Sequence, residues 1–189
     1  MRRHLLRRRR DERGLTILEL TIGSSLMLVL AVGALGVLQS TQSAVRYSSL
    51  QTQSLDEART TLARLSHEVR DSAQIYPVEA TCPMTTCLTV AVQDAGGSVL
   101  DVRYRYDSAA ATLFRRVGVR SGGVFVPSGT DVPVATNLAN GGGVAVFCRQ
   151  APCTVPSETA VQVVLVVNAE PAHPSRAVTL NSYMTPRNG

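Results

Sequence analysis

The sequence has no proline before Pro77, and Glu19 is the one charged residue between positions 15 and 38. Proline interrupts helices because it lacks a backbone N–H and clashes with the preceding turn, so its absence removes the commonest helix breaker. We predict a helix over residues 15–74, about 60 residues and on the order of 90 Å long. Its first part, residues 15–38, is apolar on all sides and long enough to cross a bilayer.

The chain beyond residue 14 has no net charge. Residues 1–14 hold seven arginines against Asp11 and Glu12, whereas the remaining 175 residues hold twelve arginines and twelve acidic residues. The net charge of +5 therefore belongs to the N-terminal tail. A basic arm for nucleic acid is one interpretation, but nothing after Gly14 supports it. Arginines directly before an apolar span instead hold that end in the cytoplasm, so we expect residues 39–189 on the other side.

Four cysteines form two pairs with the same spacing, Cys82 with Cys87 and Cys148 with Cys153. Outside the cytoplasm an even number of cysteines usually forms disulfides. Zinc sites more often place two residues between paired cysteines, and no histidine lies near either pair. We therefore expect disulfides rather than metal. Four cysteines allow three pairings, and we favour two local clips because a proline inside each loop favours a tight turn.

Two familiar kinds of N-terminus explain this segment incompletely. A secretory signal cleaved near Gly36 needs an apolar core of only about 7–15 residues, and the run here is longer. An uncleaved transmembrane anchor explains the length but not Glu19, because an unpaired carboxylate in hydrocarbon costs about 2.5–3.5 kcal/mol. Glu19 is therefore a candidate functional residue.

The N-terminus consists of a charged leader, Gly14, the residues LTILEL and then an apolar segment. This arrangement closely resembles the class III signal of type IV prepilins and pseudopilins. The resemblance implies that a prepilin peptidase cleaves between Gly14 and Leu15 on the cytoplasmic side and methylates the new amine of Leu15. It also implies that Glu19, the fifth residue of the mature chain, helps subunits to pack. Leucine stands where the family most often has phenylalanine.

Cleavage would give Glu19 a partner of opposite charge. The new amine at Leu15 lies four residues before Glu19, and positions i and i+4 are neighbours on a helix. In a bundle of helices the carboxylate can instead meet the amine of an adjacent subunit. A charge pair in low dielectric discriminates strongly between correct and incorrect register. We therefore interpret Glu19 as an alignment device, and removal of the arginine leader as the step that frees the helix from the membrane.

The second part of the predicted helix, residues 39–74, differs from the first. Residues 39–54 are polar and predict a frayed or partly helical connection. Beyond them, apolar residues recur at spacings of three and four with charged residues between them: Leu55, Ala58, Leu62, Leu65 and Val69. This spacing is typical of an amphipathic helix that packs one stripe on a core.

After Pro77 the apolar residues follow the period of strands. The predicted strands cover residues 87–93, 98–106, 111–119, 144–148, 160–168 and 176–184, with a long irregular loop and at most one edge strand over residues 122–143. Residues 161–167 are the most apolar, which predicts a central strand. A long helix followed by an antiparallel sheet is an α+β fold, with residues 75–189 as a β-rich extracytoplasmic head domain.

Scattered residues of this head domain resemble minor pilins and minor pseudopilins. The matching motifs are Tyr104-Arg105-Tyr106-Asp107, Leu113-Phe114-Arg115 and the terminal Arg187-Asn188. This likeness covers few positions and implies a minor rather than a major subunit.

Five arginines fall on two strands that we expect to be neighbours: Arg103, Arg105, Arg115, Arg116 and Arg120. A face that binds DNA or an acidic partner would use these side chains. Asp101 and Asp107 reduce its charge, so we favour a mixed, solvated face. If DNA is captured, these arginines are the residues to test.

No arrangement of residues typical of a catalytic site stands out, so we expect neither an enzyme nor a cofactor. His67 and Asp71 lie one helical turn apart but lack the second histidine of a zinc-binding motif, and His173 lies in a proline-flanked turn. The glycines at positions 141–143 lack the strand and helix of a phosphate-binding loop.

The sequence therefore predicts a pilin-like assembly subunit. We expect it to cross the cytoplasmic (inner) membrane once, with its N-terminus inside, and to join a pilus or a type II secretion-like pseudopilus. The expected partners are other subunits, the prepilin peptidase, the assembly platform and the membrane. Two rivals are a membrane-anchored extracytoplasmic binding domain with an uncleaved span and a protein secreted by cleavage near Gly36. The first residue of the mature chain distinguishes the three.

Overall fold

The computed structural model describes residues 16–77, 79, 81–83, 85–93, 96–141, 143–148 and 160–187. Within these residues a long helix, α1 (Ile17–Arg70), precedes the strands, and all the strand pairs are antiparallel. The predicted α+β fold is confirmed. The chain forms two compact units, one up to Val45 and one from Arg46 onward.

The first unit contains the apolar part of α1. Every described residue from 16 to 45 is exposed to solvent, and by length and composition α1 is able to cross a membrane. Leu26, Met27 and Leu30, for example, are 60%, 75% and 73% exposed. A continuous apolar surface of this size is unfavourable in water.

The second unit begins with the rest of α1, which is helical through the polar residues 46–54 rather than frayed. Polar side chains of α1 bond to loops of the same unit: Asn137 Nδ2 donates to Ser54 Oγ at 2.8 Å, and Thr136 Oγ1 donates to Glu57 Oε2 at 2.8 Å. These hydrogen bonds explain why a polar stretch of the sequence forms an ordered helix here.

The amphipathic stripe packs as predicted. Ala58, Leu65 and Val69 are fully buried, and Leu55 and Leu62 pack against the same core. The helix ends at Arg70, four residues earlier than expected, because the next residues pair with the sheet. This first strand, β1 (Ser72–Ile75), was read from the sequence as the last helical turn. Ile75 is fully buried there, so its packing overrides the local helical pattern.

Among the residues that the structure describes, the larger sheet has six strands. After β1 come β2 (Cys87–Gln93), β3 (Val99–Asp107), β4 (Thr112–Ser121), β5 (Val124–Pro127) and β6 (Val132–Ala135). The strands pair in the order β1-β2-β3-β4, and both β5 and β6 pair with β4. The segment predicted as a long irregular loop with at most one edge strand therefore supplies two short strands to this sheet.

The smaller sheet has the order β7 (Phe147–Cys148), β8 (Val161–Val167) and β9 (Val178–Met184). Its central strand, β8, is the one that the sequence identified as central. Asn140 covers part of the β8 edge: its Nδ2 donates to Val164 O at 2.7 Å, and its Oδ1 accepts from Val166 N at 2.9 Å. Residues from both sheets and from α1 contribute to one apolar core.

Candidate functional site

Gly14 and Leu15, the predicted cleavage and methylation positions, lie outside the described residues. Thr16, the first residue that the structure describes, directly precedes α1. Thr16 and Glu19 form a capping box, in which each side chain satisfies a backbone N–H of the other residue. Thr16 N donates to Glu19 Oε2 at 3.2 Å, and Glu19 N donates to Thr16 Oγ1 at 3.3 Å. The Thr16 hydroxyl also donates to the carboxylate, at 3.1 Å.

This capping box gives Glu19 local partners that the sequence reasoning did not consider. The signal was present, because threonine followed three residues later by glutamate before an apolar run is a capping-box pattern. A carboxylate in the first turn also interacts favourably with the positive end of the helix dipole. Glu19 is thus partly compensated without any cleaved amine.

The five candidate arginines divide between the two faces of the larger sheet. Neighbouring residues on a strand point to opposite sides, so Arg115 and Arg116 of β4 cannot share a face. Arg115 lies opposite Tyr104 in the β3–β4 register, whereas Arg116 lies opposite Arg103. The structure therefore brings Arg103, Arg105, Arg116 and Arg120 together on the outer face. It places Arg115 on the inner face, toward α1.

On the inner face, Arg115 binds Glu68 of α1. Its Nη2 donates to Glu68 Oε1 at 2.8 Å, and Tyr104 OH donates to Glu68 Oε2 at 2.8 Å. Burial and the nearby Glu68 carboxylate raise the pKa of Tyr104. Burial disfavours the charge of Arg115, but its hydrogen bonds and attraction to Glu68 outweigh this effect and raise its pKa. The group is a charged anchor between helix and sheet.

Glu68 is one of the charged residues between the apolar positions of the stripe, but its side chain is only 11% exposed. A signal existed, since Glu68 follows Leu65 by three residues and directly precedes Val69, so it borders the buried stripe. Tyr104 and Arg115 both bind this carboxylate from the inner face of the sheet. In this structure their role is to hold α1 on the sheet.

On the outer face, Glu79 bridges two of the arginines. Arg103 Nη2 lies 2.6 Å from Glu79 Oε2, and Arg120 Nη2 lies 2.7 Å from Glu79 Oε1. Arg120 also pairs with Asp101 at 3.3 Å and stacks on the ring of Tyr76. Burial and a hydrogen bond with Asp101 raise the pKa of Tyr76. No sequence pattern marked Glu79 as a partner, because it lies in an irregular segment between strands.

Asp107 and Asp131 accompany the remaining two outer-face arginines. Arg105 Nη2 lies 3.0 Å from Asp131 Oδ2, and its Nη1 lies 3.4 Å from Asp107 Oδ2. The hydrogen bond from Arg105 to Asp131 raises the pKa of Arg105. Arg116 Nη1 is 3.7 Å from Asp131 Oδ1. The outer face is therefore a mixed surface of alternating charge, as the sequence favoured.

The cysteines support the expectation of disulfides. Cys82 and Cys87 are bonded to each other, which confirms the first local clip. Cys148 is also disulfide-bonded, whereas Cys153 lies outside the described residues. Glu79 lies just before the clip, and Cys82 N donates to Glu79 O at 2.9 Å.

The histidines that the sequence singled out form ordinary surface contacts. His67 Nδ1 lies 2.9 Å from Asp71 Oδ2, and His173 Nε2 lies 3.5 Å from Glu170 Oε1. Among the described residues, no three histidine, cysteine or carboxylate side chains come together as they would around a metal ion. Of the glycines at positions 141–143, Gly142 lies outside the description.

Comparison with known protein families, curated proteins and solved structures finds no match to this chain.

Proposed function

We propose that this chain is a pilin-like assembly subunit, of the kind found as minor pilins and minor pseudopilins. One observation carries the proposal: Glu19 lies in the first turn of a helix whose apolar residues up to Val45 are all exposed. A carboxylate at the entrance of an uncovered apolar helix needs a specific function, because it makes insertion into hydrocarbon less favourable. Alignment of packed helices is such a function.

In this proposal a prepilin peptidase cleaves between Gly14 and Leu15, and the new amine of Leu15 is methylated. The amine then lies next to Thr16, whose hydroxyl and backbone N–H already bind Glu19. A carboxylate has about four lone-pair sites, so Glu19 can keep this capping box and still accept a bond from an amine. That amine belongs to its own chain or to an adjacent subunit.

The rest of the chain fits the same role. The apolar part of α1 serves first as a single-pass anchor in the cytoplasmic membrane and then as the packing surface of a filament. The exposed Gly23, Gly33 and Gly36 are small positions that allow helices to approach closely. The α+β unit from Arg46 onward is the extracytoplasmic head. Its partners are other subunits, the peptidase and the assembly platform of a pilus or secretion pseudopilus.

The decisive test is the N-terminus of the protein isolated from its own cells. Intact-mass measurement and N-terminal fragmentation are expected to give a chain of residues 15–189 with one added methyl group on Leu15. A chain that retains residues 1–14 in the working molecule contradicts the proposal, as does an N-terminus near position 36. Co-purification with a filament, and identification of its major subunit, would then establish the type of assembly.

A second candidate is a membrane-anchored extracytoplasmic binding domain with an uncleaved span. The Thr16–Glu19 capping box favours it, because this box satisfies the carboxylate without cleavage. The same mass measurement separates the two candidates. DNA capture is a less favoured function of either protein, because carboxylates lie beside the arginines that DNA would need.

A further inference from the structure

A cleft of about 220 Å³ opens on the outer face of the larger sheet. Its polar lining includes Arg103, Arg105, Arg116 and Asp131, and its apolar lining includes Phe114 and Phe125. The sheet register explains why these residues meet, since Arg103 pairs with Arg116 and Arg105 pairs with Phe114 across β3 and β4. The cleft is therefore built from the centre of the sheet rather than from loops alone.

The lining has three arginines and one carboxylate, but Glu79 lies 2.6 Å from Arg103 and Asp107 lies 3.4 Å from Arg105, so these neighbours offset the charge of two lining arginines. The balance of the outer face as a whole depends on Glu79 and Asp107, which lie outside this lining. A ligand that enters the cleft meets guanidinium groups and aromatic rings. This combination favours an anionic group attached to an apolar one.

Two of the arginines are held in position by aromatic rings. The guanidinium carbon of Arg103 lies 4.1 Å from the centre of the Phe125 ring, and that of Arg105 lies 5.4 Å from the centre of Phe114. Such stacking orients the guanidinium plane and leaves its edge available for hydrogen bonds. Binding an anion would require little further ordering of these side chains, which reduces the entropic cost.

Asp131 shows how a carboxylate sits in this cleft. It bonds well to Arg105, at 3.0 Å, but is 3.7 Å from Arg116, beyond hydrogen-bond distance. This is the one contact of Arg116 with a carboxylate among the described residues. The side chain of Arg116 is 36% exposed, and that of Arg105 is 41% exposed. Arg116 Nε donates to Gly129 O at 2.8 Å, so the Nη donors of Arg116 are the ones available to a second carboxylate.

We propose that the cleft binds an acidic side chain of a partner protein, a glutamate or aspartate with an apolar neighbour. The carboxylate would bond to Arg116 and Arg105 beside Asp131, and the apolar neighbour would contact Phe114. The cleft of about 220 Å³ has the volume of roughly seven liquid water molecules, at about 30 Å³ each. This is enough room for one or two side chains. Arginine and aromatic side chains are also the residues enriched at protein interfaces.

DNA fits these observations less well. A duplex presents phosphates along an extended surface and binds through several exposed cations at once. Arg103 and Arg120 are held by Glu79, and their side chains are only 11% and 20% exposed. Arg105 and Arg116 remain, and they face a single cleft. The inference does not depend on the proposed function, because an anchored binding domain would use the same cleft.

The test uses the full-length protein in detergent micelles and a fluorescently labelled peptide of alternating glutamate and phenylalanine. A matched peptide with glutamine in place of glutamate, and a labelled oligonucleotide, serve as comparison probes. Arg116→Gln removes the available cation, and Val124→Glu places a carboxylate on a lining residue that is 54% exposed. Arg59→Gln and Val124→Gln are the matched controls, since Arg59 is a helix residue 66% exposed and does not line the cleft.

We expect the glutamate peptide to bind more tightly than the glutamine peptide at low salt. Arg116→Gln and Val124→Glu should each weaken binding by about three- to fivefold, the upper part of the range for an exposed ion pair. Asp131→Asn, which removes the internal competitor, should tighten it. The proposal fails if both peptides bind equally, if Arg116→Gln behaves like Arg59→Gln, or if the oligonucleotide alone shows dependence on Arg116. None of these results would alter the N-terminal mass measurement, so the two proposals fail separately.

Discussion

The side chain of Arg115 on β4 donates two hydrogen bonds to Glu68 Oε1 on α1, from Nε at 3.1 Å and from Nη2 at 2.8 Å. The pair fixes the rotation of the helix on the sheet, because a turn of α1 in either direction would leave a largely buried carboxylate without its cation. Breaking such a pair from one side costs more than removing both partners together.

We expect Arg115→Met to destabilise the head by about 3 kcal/mol, because it leaves Glu68 with Tyr104 and the half-exposed Arg64 as partners. Arg115→Met combined with Glu68→Leu should lose less. Urea denaturation of the full-length protein in detergent measures both, and Arg59→Met is the exposed control, with an expected change within about 0.5 kcal/mol. Equal urea midpoints for the single and double variants would show that Glu68 does not lose an essential partner in Arg115→Met.

Tyr104→Phe tests the same anchor through pH. Burial and Glu68 raise the pKa of Tyr104 above its ordinary value of 10.0. Above pH 10 the folded chain therefore keeps the Tyr104 proton, whereas the unfolded chain loses it. The contribution of Tyr104 to the free energy of unfolding is complete below pH 10 and declines as the pH rises further. Tyr104→Phe should cost about 1 kcal/mol at neutral pH and make the alkaline loss of stability less steep. Denaturation measured between pH 8 and about pH 12 gives the slope of the unfolding free energy against pH. The same slope for Tyr104→Phe and the unchanged protein would contradict the raised pKa of Tyr104.

Gly118→Ala should disturb the outer face from within the sheet. A Cβ at Gly118 would collide with the carbonyl oxygen of Val126 and lie 2.7 Å from two ring carbons of Phe125. We expect a loss of about 1–3 kcal/mol and a displaced Phe125, on which Arg103 stacks. Gly129→Ala is the matched control, because nothing lies within 4 Å of its added Cβ. Equal melting temperatures for the two variants would contradict this packing.

Glutamine at position 19 separates the two roles of the acid. Glu19→Gln can keep the capping box but cannot form a charge pair with an amine, whereas Glu19→Ala loses both. If alignment depends on charge, both variants should be cleaved after Gly14 yet enter filaments poorly, by about tenfold for a coupling near 1.4 kcal/mol. Immunoblotting of sheared filaments against total protein measures this. Normal incorporation of Glu19→Gln would assign the residue to helix capping instead.

Much of the fold could be predicted from the sequence, because the local spacing of apolar residues agrees with the way these residues pack. The strand predicted over residues 87–93 has those bounds as β2, and the buried stripe from Leu55 to Val69 lies where the helical spacing places it. The exceptions are segments decided by distant contacts. The end of α1 is replaced by β1 because Ile75 fits the core, and β5 and β6 form only because β4 offers them an edge.

The candidate sites were readable to a lesser extent. Strand alternation predicts that Arg115 and Arg116 face opposite sides, but not which side holds a buried carboxylate. Glu68 could have been identified from its place beside Leu65 and Val69. Glu79 could not, because its position depends on a backbone hydrogen bond with Cys82 outside the named strands. The capping box required only the spacing of Thr16 and Glu19.

Asn140 completes the β8 edge through a side-chain amide, and Gly141 follows it. Asparagine before glycine is chemically labile, because the next backbone nitrogen can attack the amide and convert it to a carboxylate. In the folded chain this nitrogen donates to Ala139 O at 2.8 Å, and the amide of Asn140 is held on both sides. Deamidation of Asn140 should therefore proceed through unfolded molecules. A chain with aspartate at this position could no longer donate a hydrogen bond to Val164 O. Mass spectrometry of samples stored folded and in urea would show whether the hydrogen bonds at the β8 edge slow the deamidation of Asn140.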